Sequence, residues 1–318
     1  MVRLRDARRP REGMTLSQFL DEFAPDEMAA EAWLVARRWP DGIRCAHCDA
    51  ARIAERKNRR PQPYWCHDCR RYFSVKTNSV MHRSPLSCRI WVAAVYLMLT
   101  SLKGVASTKL ARDLGITQKS AWHLGHRIRA AFANGQDCLM LGPIEVDETY
   151  IGGKAKNQHA SQRDGKRGVG GKYPVVGILD RATGEVRAEA VDDTKKDELQ
   201  GYLEENIRSD ATVYSDEMKS YEDLPQPHEA VQHSTGEYVR GEVHTNRIES
   251  FWSMLKRGYV GVYHRFSEQH LDRYVKEYAK RRSMRELDTI DQMTELIAQF
   301  WGVRLSWADL VTSRATNW

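Results

Sequence analysis

The sequence predicts an α/β chain in which a small metal-bound module and a block of helices precede a strand-rich region. Three observations predict it. Four cysteines fall into two Cys-x-x-Cys pairs between residues 45 and 69. Helix formers carrying apolar residues dominate residues 86–133. From Pro143 onward, β-branched runs bounded by glycine-containing turns take over, with helix-like stretches between and after them.

With 318 residues, 41% apolar and 29% charged, the chain is long enough for two or three globular domains. The net charge of +6 is unevenly spread: residues 1–142 hold 24 Lys and Arg against 13 Asp and Glu, and the remainder holds 25 against 30. A basic front half suits a polyanionic partner, and an acidic back half suits cations. Residues 3–12 are basic, but no continuous apolar run follows them as in a secretory signal. The longest apolar stretch, Ile90 to Leu99, is too short to span a bilayer. These features point to a cytoplasmic chain with no membrane partner, whose cysteines serve as thiols or metal ligands rather than disulfides.

The first segment, residues 1–40, reads as helical. Thr15-Leu16-Ser17-Gln18 has the form of a capping box, and Pro25-Asp26-Glu27 opens a second helix that Pro40-Asp41-Gly42 ends. In residues 41–80, Cys45-Ala46-His47-Cys48 and Cys66-His67-Asp68-Cys69 are separated by 17 residues, the spacing of a four-thiolate zinc ribbon. Cys45, Cys48, Cys66 and Cys69 complete a tetrahedron, so His47 and His67 are not needed. Cys88 and Cys138, in apolar surroundings, read as core residues. Arg52, Arg56, Lys57, Arg59 and Arg60, followed by Tyr64, Trp65, Tyr72 and Phe73, fit phosphate contact with stacking, or a solvated loop beside a small aromatic core.

Residues 84–138 read as a helix-turn-helix region. Ile90 to Leu99 forms one buried helix, and Gly115 supplies a turn between two further helices, the second capped by Thr117. That second helix is expected to carry Gln118, Lys119, His123 and Arg127 outward toward a major groove.

The remaining elements occupy residues 143–284. Ile144 to Ile151 is the first strand, Tyr173 to Asp180 the second, Ala182-Thr183-Gly184 a turn, and Glu185 to Val191 the third. Lys195 to Arg208 reads as a helix, Ala211 to Ser215 as a fourth strand, and a later helix carries Glu249. This order is that of the ribonuclease H-like, integrase-type fold. Asp147, Asp216 and Glu249 sit on the first strand, at the end of the fourth and on that helix. Carboxylates gathered in this way can hold two Mg²⁺ ions that stabilise the attacking and leaving oxygens of a phosphodiester displacement. Lys256, seven residues beyond Glu249, shares its helix face about 10 Å along the axis and suits a neighbouring phosphate. Glu145, Glu148 and Glu217 flank the acids, but strand alternation turns neighbours to opposite faces and makes them weaker candidates. Asn246, one turn before Glu249, and His244 are held in reserve. Residues 285–318 suggest an amphipathic helical tail bearing Leu287, Ile290, Met293, Ile297 and Phe300.

Three stretches carry a family resemblance. They are Val146-Asp147-Glu148-Thr149-Tyr150-Ile151-Gly152-Gly153-Lys154, Tyr214-Ser215-Asp216-Glu217 with Lys219-Ser220-Tyr221, and His244-Thr245-Asn246-Arg247-Ile248-Glu249-Ser250-Phe251-Trp252 with Leu255-Lys256-Arg257-Gly258. Together with Leu16-Ser17-Gln18-Phe19 and Trp39-Pro40-Asp41-Gly42, they resemble the DDE transposases of bacterial insertion sequences, in the ISXO-like branch with an N-terminal zinc ribbon. The resemblance implies that Asp147, Asp216 and Glu249 are the metal-binding triad for two Mg²⁺ or Mn²⁺ ions, with Lys256 as basic partner and a structural Zn²⁺ in the ribbon. It implies a nucleoid-associated enzyme that binds terminal inverted repeats and target DNA as a homodimer or larger assembly and catalyses strand cleavage and strand transfer. Lys119, His123, Arg127, Lys154, Lys256 and Arg257 are the expected DNA contacts. The alternative is a DNA-binding regulator derived from a transposase with a retired catalytic domain.

Overall fold

A computed structural model describes residues 12–135, 138–153, 172–216, 218–230 and 244–312. The chain divides into two compact units, one of residues 1–135 with 286–318, the other of residues 136–285.

The first unit begins with α1 (Leu16–Phe23) and α2 (Glu27–Arg38). Thr15 and Gln18 form the capping box that starts α1, and the Asp26 carboxylate accepts from the Ala29 N–H to start α2. Three short antiparallel strands follow: β1 (Ile53–Glu55), β2 (Tyr64–Cys66) and β3 (Tyr72–Phe73). Their core of Cys45, Tyr64, Cys66 and Phe73 is very small. α3 (Cys88–Thr100), buried on nearly every side, packs against α4 (Ser107–Leu114) and α5 (Gln118–Phe132). Gly115 turns the chain between α4 and α5 at φ +65°, a left-handed conformation that costs glycine nothing. Thr117 then caps α5 by accepting from the Ser120 N–H.

The second unit is built on a five-stranded sheet. Its strands are β4 (Ile144–Ile151), β5 (Tyr173–Asp180), β6 (Val186–Ala190), β7 (Val213–Ser215) and β8 (His228–Ala230), in the order β6-β5-β4-β7-β8. β4, β5 and β6 are antiparallel neighbours, whereas β7 runs parallel to both β4 and β8. The sequence pattern does not anticipate β8: three residues are too few to show a period. α6 (Lys196–Asn206) covers one face of the sheet; α7 (Asn246–Gly258) and α8 (Glu268–Ser283) cover the other. β5 divides cleanly between them, with Val175 and Leu179 facing α7 and α8, and Val176 and Ile178 facing α6.

The tail returns to the first unit. α9 (Thr289–Ala298) buries Met293, Leu296 and Ile297 against α2, α3 and α5. A short α10 (Trp307–Val311) follows, started by a Ser306–Asp309 capping box. Among the described residues, no helix is long and apolar enough to cross a membrane.

Candidate active site

β4 and β7 pair only at Ile144–Val213 and Glu145–Tyr214, so β4 runs on past the end of β7. Asp216 follows β7 directly, beside this uncovered edge. Asp147 pairs with Gly177 and lies on the α7 face, while Glu148 pairs with Val176 on the α6 face. The backbone alternation is as expected, yet carboxylate oxygens of Asp147, Glu148 and Asp216 all lie within 4.8 Å of one another. The open edge explains this correction to the standing of Glu148: with no β7 backbone alongside, its longer side chain can meet Asp147 around the rim. Each acid is held. Asp147 accepts from the Glu148 N–H at 2.9 Å and the Trp252 indole N–H at 3.0 Å. Glu148 accepts from the Tyr221 hydroxyl at 2.8 Å, and Asp216 from the Met218 N–H at 3.0 Å.

Burial, reinforced by the charges of Glu148 and Asp216, pushes the Asp147 carboxyl up to about 7. Glu148 is also raised, chiefly by burial. Three crowded oxygen donors, their repulsion relieved by no basic side chain among the described residues, fit a hard divalent cation. One pH dependence follows. Between the unfolded carboxylate range near 4 and about 7, the folded metal-free protein holds a proton that the unfolded chain has released. Its stability therefore falls as pH rises through this window. Thermal melting from pH 4.5 to 7.5 is expected to show this added fall in wild type, and Asp147→Asn to remove it.

α7 is pinned against this edge from two sides. Gly177 gives Trp252 room: a Cβ there would lie 2.6 Å from the indole ring. The fully buried Glu145 carboxylate accepts from the first N–H groups of α7, Arg247 at 2.9 Å and Ile248 at 3.0 Å, and from Arg181 Nε at 2.8 Å. Arg181 leaves the β5–β6 turn, stacks on Tyr214 with its guanidinium 4.3 Å from the ring centre, and donates to the His244 carbonyl. A carboxylate at a helix N-terminus is favourable, and here it fixes where α7 starts.

In the first unit, Cys45, Cys48, Cys66 and Cys69 bring their sulfurs within 4.8 Å of one another, a set that fits a structural zinc ion. His47 Nε2 contacts the Tyr72 carbonyl instead, at 3.2 Å. Purified protein is expected to carry one zinc per chain. Cys66→Ser should lose that zinc and the fold of residues 41–80, read by metal analysis and amide exchange; a variant that stays protected without metal would contradict this.

The acidic edge and the helix docked on it lie within a segment that known sequences recognise. Residues 139–282 match the family described as the ISXO2-like transposase domain. The match spans nearly the whole of the second unit. Over a longer stretch the chain is similar to an uncharacterized protein in transposable element ISH50 of Halobacterium salinarum, 28% identical over 275 residues. That alignment covers 81% of this chain and 91% of the relative.

Within the matched segment, Glu249 and Lys256 sit on the exposed face of α7. The structure groups Asp147 and Asp216 with Glu148 and leaves Glu249 outside that set. The Glu249 carboxylate accepts from the Thr245 hydroxyl at 3.4 Å, three residues ahead of Trp252. Asn246 is the exposed first residue of α7, and Arg257 lies in its last turn, donating to the Ser253 carbonyl. His244 Nδ1 is 3.0 Å from Arg181 and 3.4 Å from Glu145. Lys154 and Glu217 lie outside the described residues. Three expectations are corrected. Arg127 does not project outward: it is buried, donates to the His82 carbonyl and lies over Trp91. His123 is half-buried against Trp307 of α10, whose ring centre also lies 4.6 Å from Nζ of the exposed Lys119. Cys138 is exposed, not core; it lies upstream of the bridge between Met140 and Ile207, and its carbonyl accepts from Arg187. Sequence reasoning missed Tyr221 and Trp252 as partners of the acids, and Glu145 and Arg181 as the clamp. An acid on a core-facing strand position, with an arginine in the following hairpin turn, is the signal that could have found the clamp.

Proposed function

We propose that the chain is the transposase of an insertion sequence, binding the element's terminal inverted repeats and catalysing strand cleavage and strand transfer on DNA. The observation that carries this reading is the acidic edge between β4 and β7, inside a segment that matches a transposase domain. The sheet order, with three antiparallel strands at one side and a parallel β4–β7 pair, supports a ribonuclease H-like fold.

In this reading Asp147, Asp216 and Glu249 hold two Mg²⁺ or Mn²⁺ ions, and Glu148 joins them from the opposite strand face. Bound divalent cations supply charge neutralisation at a scissile phosphodiester and favour in-line displacement by an oxygen nucleophile. The protein's own groups do the rest. Trp252 and Tyr221 orient two of the acids by hydrogen bonds, Lys256 offers a cation to DNA on the same helix face as Glu249, and the Glu145–Arg181 clamp fixes α7. Lys119 in the first turn of α5 and Arg257 at the end of α7, both exposed, are further DNA contacts. No protein nucleophile is required. Zinc in the four-cysteine ribbon stabilises the front end, and joining two DNA ends calls for at least a dimer.

The test is incubation of the purified protein with duplexes ending in the repeats that flank its gene, with Mg²⁺ or Mn²⁺. Nicking at the element end and joining to a target duplex are expected. Specific binding without nicking or joining would overturn the enzymatic reading and leave a DNA-binding regulator.

A further inference from the structure

The clamp that docks α7 also walls a pocket of about 260 Å³, open to solvent and lined by Pro143, Arg181, Ala182, Tyr214, His244 and Arg247. Among the described residues, Arg247 adds a second guanidinium to the Arg181–Glu145 pair, and the Glu145 carboxylate is already engaged by Arg181 Nε and the N–H groups of Arg247 and Ile248. Because Glu145 takes the first N–H groups of α7, an anion in the pocket would be held by side chains rather than by the helix end. Arg247 is exposed and anchored through one nitrogen, Nη1, which donates to the Arg181 carbonyl at 2.9 Å. The other guanidinium nitrogens of Arg247 remain as donors, and His244 lines the same pocket. Arg181 lies over the Tyr214 ring and is tied to Glu145, which gives the site a fixed, charged floor.

The pocket's place along the sheet matters as much as its charge. Of the residues that line it, Tyr214 lies two positions before Asp216, and Pro143, whose carbonyl accepts from the Arg181 N–H, lies four before Asp147. Two to four residues of strand advance about 7–13 Å, a distance that one or two nucleotides of sugar-phosphate backbone span.

The geometry points to a phosphate subsite formed by Arg247, His244 and Arg181, which grips the DNA strand one or two nucleotides away from the phosphodiester at Asp147 and Asp216. The inference rests on the proposed function for its ligand, and on the pocket alone for its affinity for phosphate. The subsite would fix the register of the strand, so that the bond to be cut lies over the acids. Arg247 is a binding residue here, not a catalytic one.

Two measurements test it. The first uses metal-free protein and inorganic phosphate, following the His244 imidazole resonance, assigned by its loss in His244→Asn. A saturable shift is expected in wild type, weakened at least about tenfold in Arg247→Gln by loss of a charge-assisted contact. No shift, or the same shift in both proteins, overturns the subsite. The second uses repeat-end duplexes with one phosphate at a time replaced by a neutral methylphosphonate. Replacement of a phosphate one or two nucleotides from the cleaved bond should weaken wild-type binding about tenfold and leave Arg247→Gln indifferent at that position alone. Equal sensitivity of the two proteins at every position overturns the subsite while leaving cleavage intact. If wild type fails to cut the unmodified duplex, the functional reading falls, and the phosphate titration still decides the subsite. Arg247 is exposed, so Arg247→Gln is expected to melt within a few degrees of wild type, and Arg247→Lys to restore part of the affinity.

Discussion

Asp147→Asn and Asp216→Asn each lower strand cleavage and joining by about 10³-fold or more, equivalent to at least about 4 kcal/mol of transition-state stabilisation. Binding to repeat-end DNA stays within about twofold, because neither acid serves as a positive contact. The two carboxylates sit in one group with Glu148, so replacing either removes a ligand from a shared set. Glu148→Gln is expected to fall between wild type and these variants: the amide can still accept from Tyr221 but no longer brings charge to the group. Cleavage and gel-shift assays on the same protein samples separate the two effects. Full activity in Asp147→Asn or Asp216→Asn would remove that residue from the site.

The second large effect is structural. Glu145→Ala removes the carboxylate partner of Arg181, whose side chain is only 10% exposed, and leaves the N–H groups of Arg247 and Ile248 without their acceptor. Removing one partner of a buried ion pair costs about 3–5 kcal/mol. For a domain of this size the melting temperature is expected to drop by about 10 °C. Glu145→Gln keeps the shape and one acceptor oxygen and should lose less. Activity is expected to fall further than DNA binding in both variants, because α7 carries Trp252 to Asp147. A melting point unchanged in Glu145→Ala would show that α7 docks without the clamp.

What the sequence reveals of this molecule is mostly what short stretches decide. Thr15 with Gln18, and Thr117 after Gly115, specify helix starts through bonds spanning three residues, and the structure has them there. The paired cysteines work in the same way, since each pair bends locally around the ion it expects. β4, β5 and β6 are legible because β-branched runs and turn residues mark them, and β5, apolar on both sides, divides its side chains between the two faces of the sheet.

The misreadings come from distance in the chain. Arg127 and His123 look outward on α5 taken by itself; Trp91 and the His82 carbonyl take up Arg127, and Trp307, more than 180 residues downstream of His123, covers the other. Glu148 looks turned away from Asp147 for as long as the strand is imagined inside a continuous sheet. Only the early end of β7 exposes the edge where the two side chains meet. Glu145 reads as a flanking acid until α7, a hundred residues later, places its first turn on it.

The account stands or falls on the acidic edge binding divalent cations. The most direct measurement is anomalous X-ray scattering from crystals of the protein soaked in Mn²⁺. The account predicts manganese peaks in contact with Asp147 and Asp216, lost in Asp147→Asn. Fully diffusing crystals with no manganese at these carboxylates, or a peak unchanged by Asp147→Asn, would contradict it.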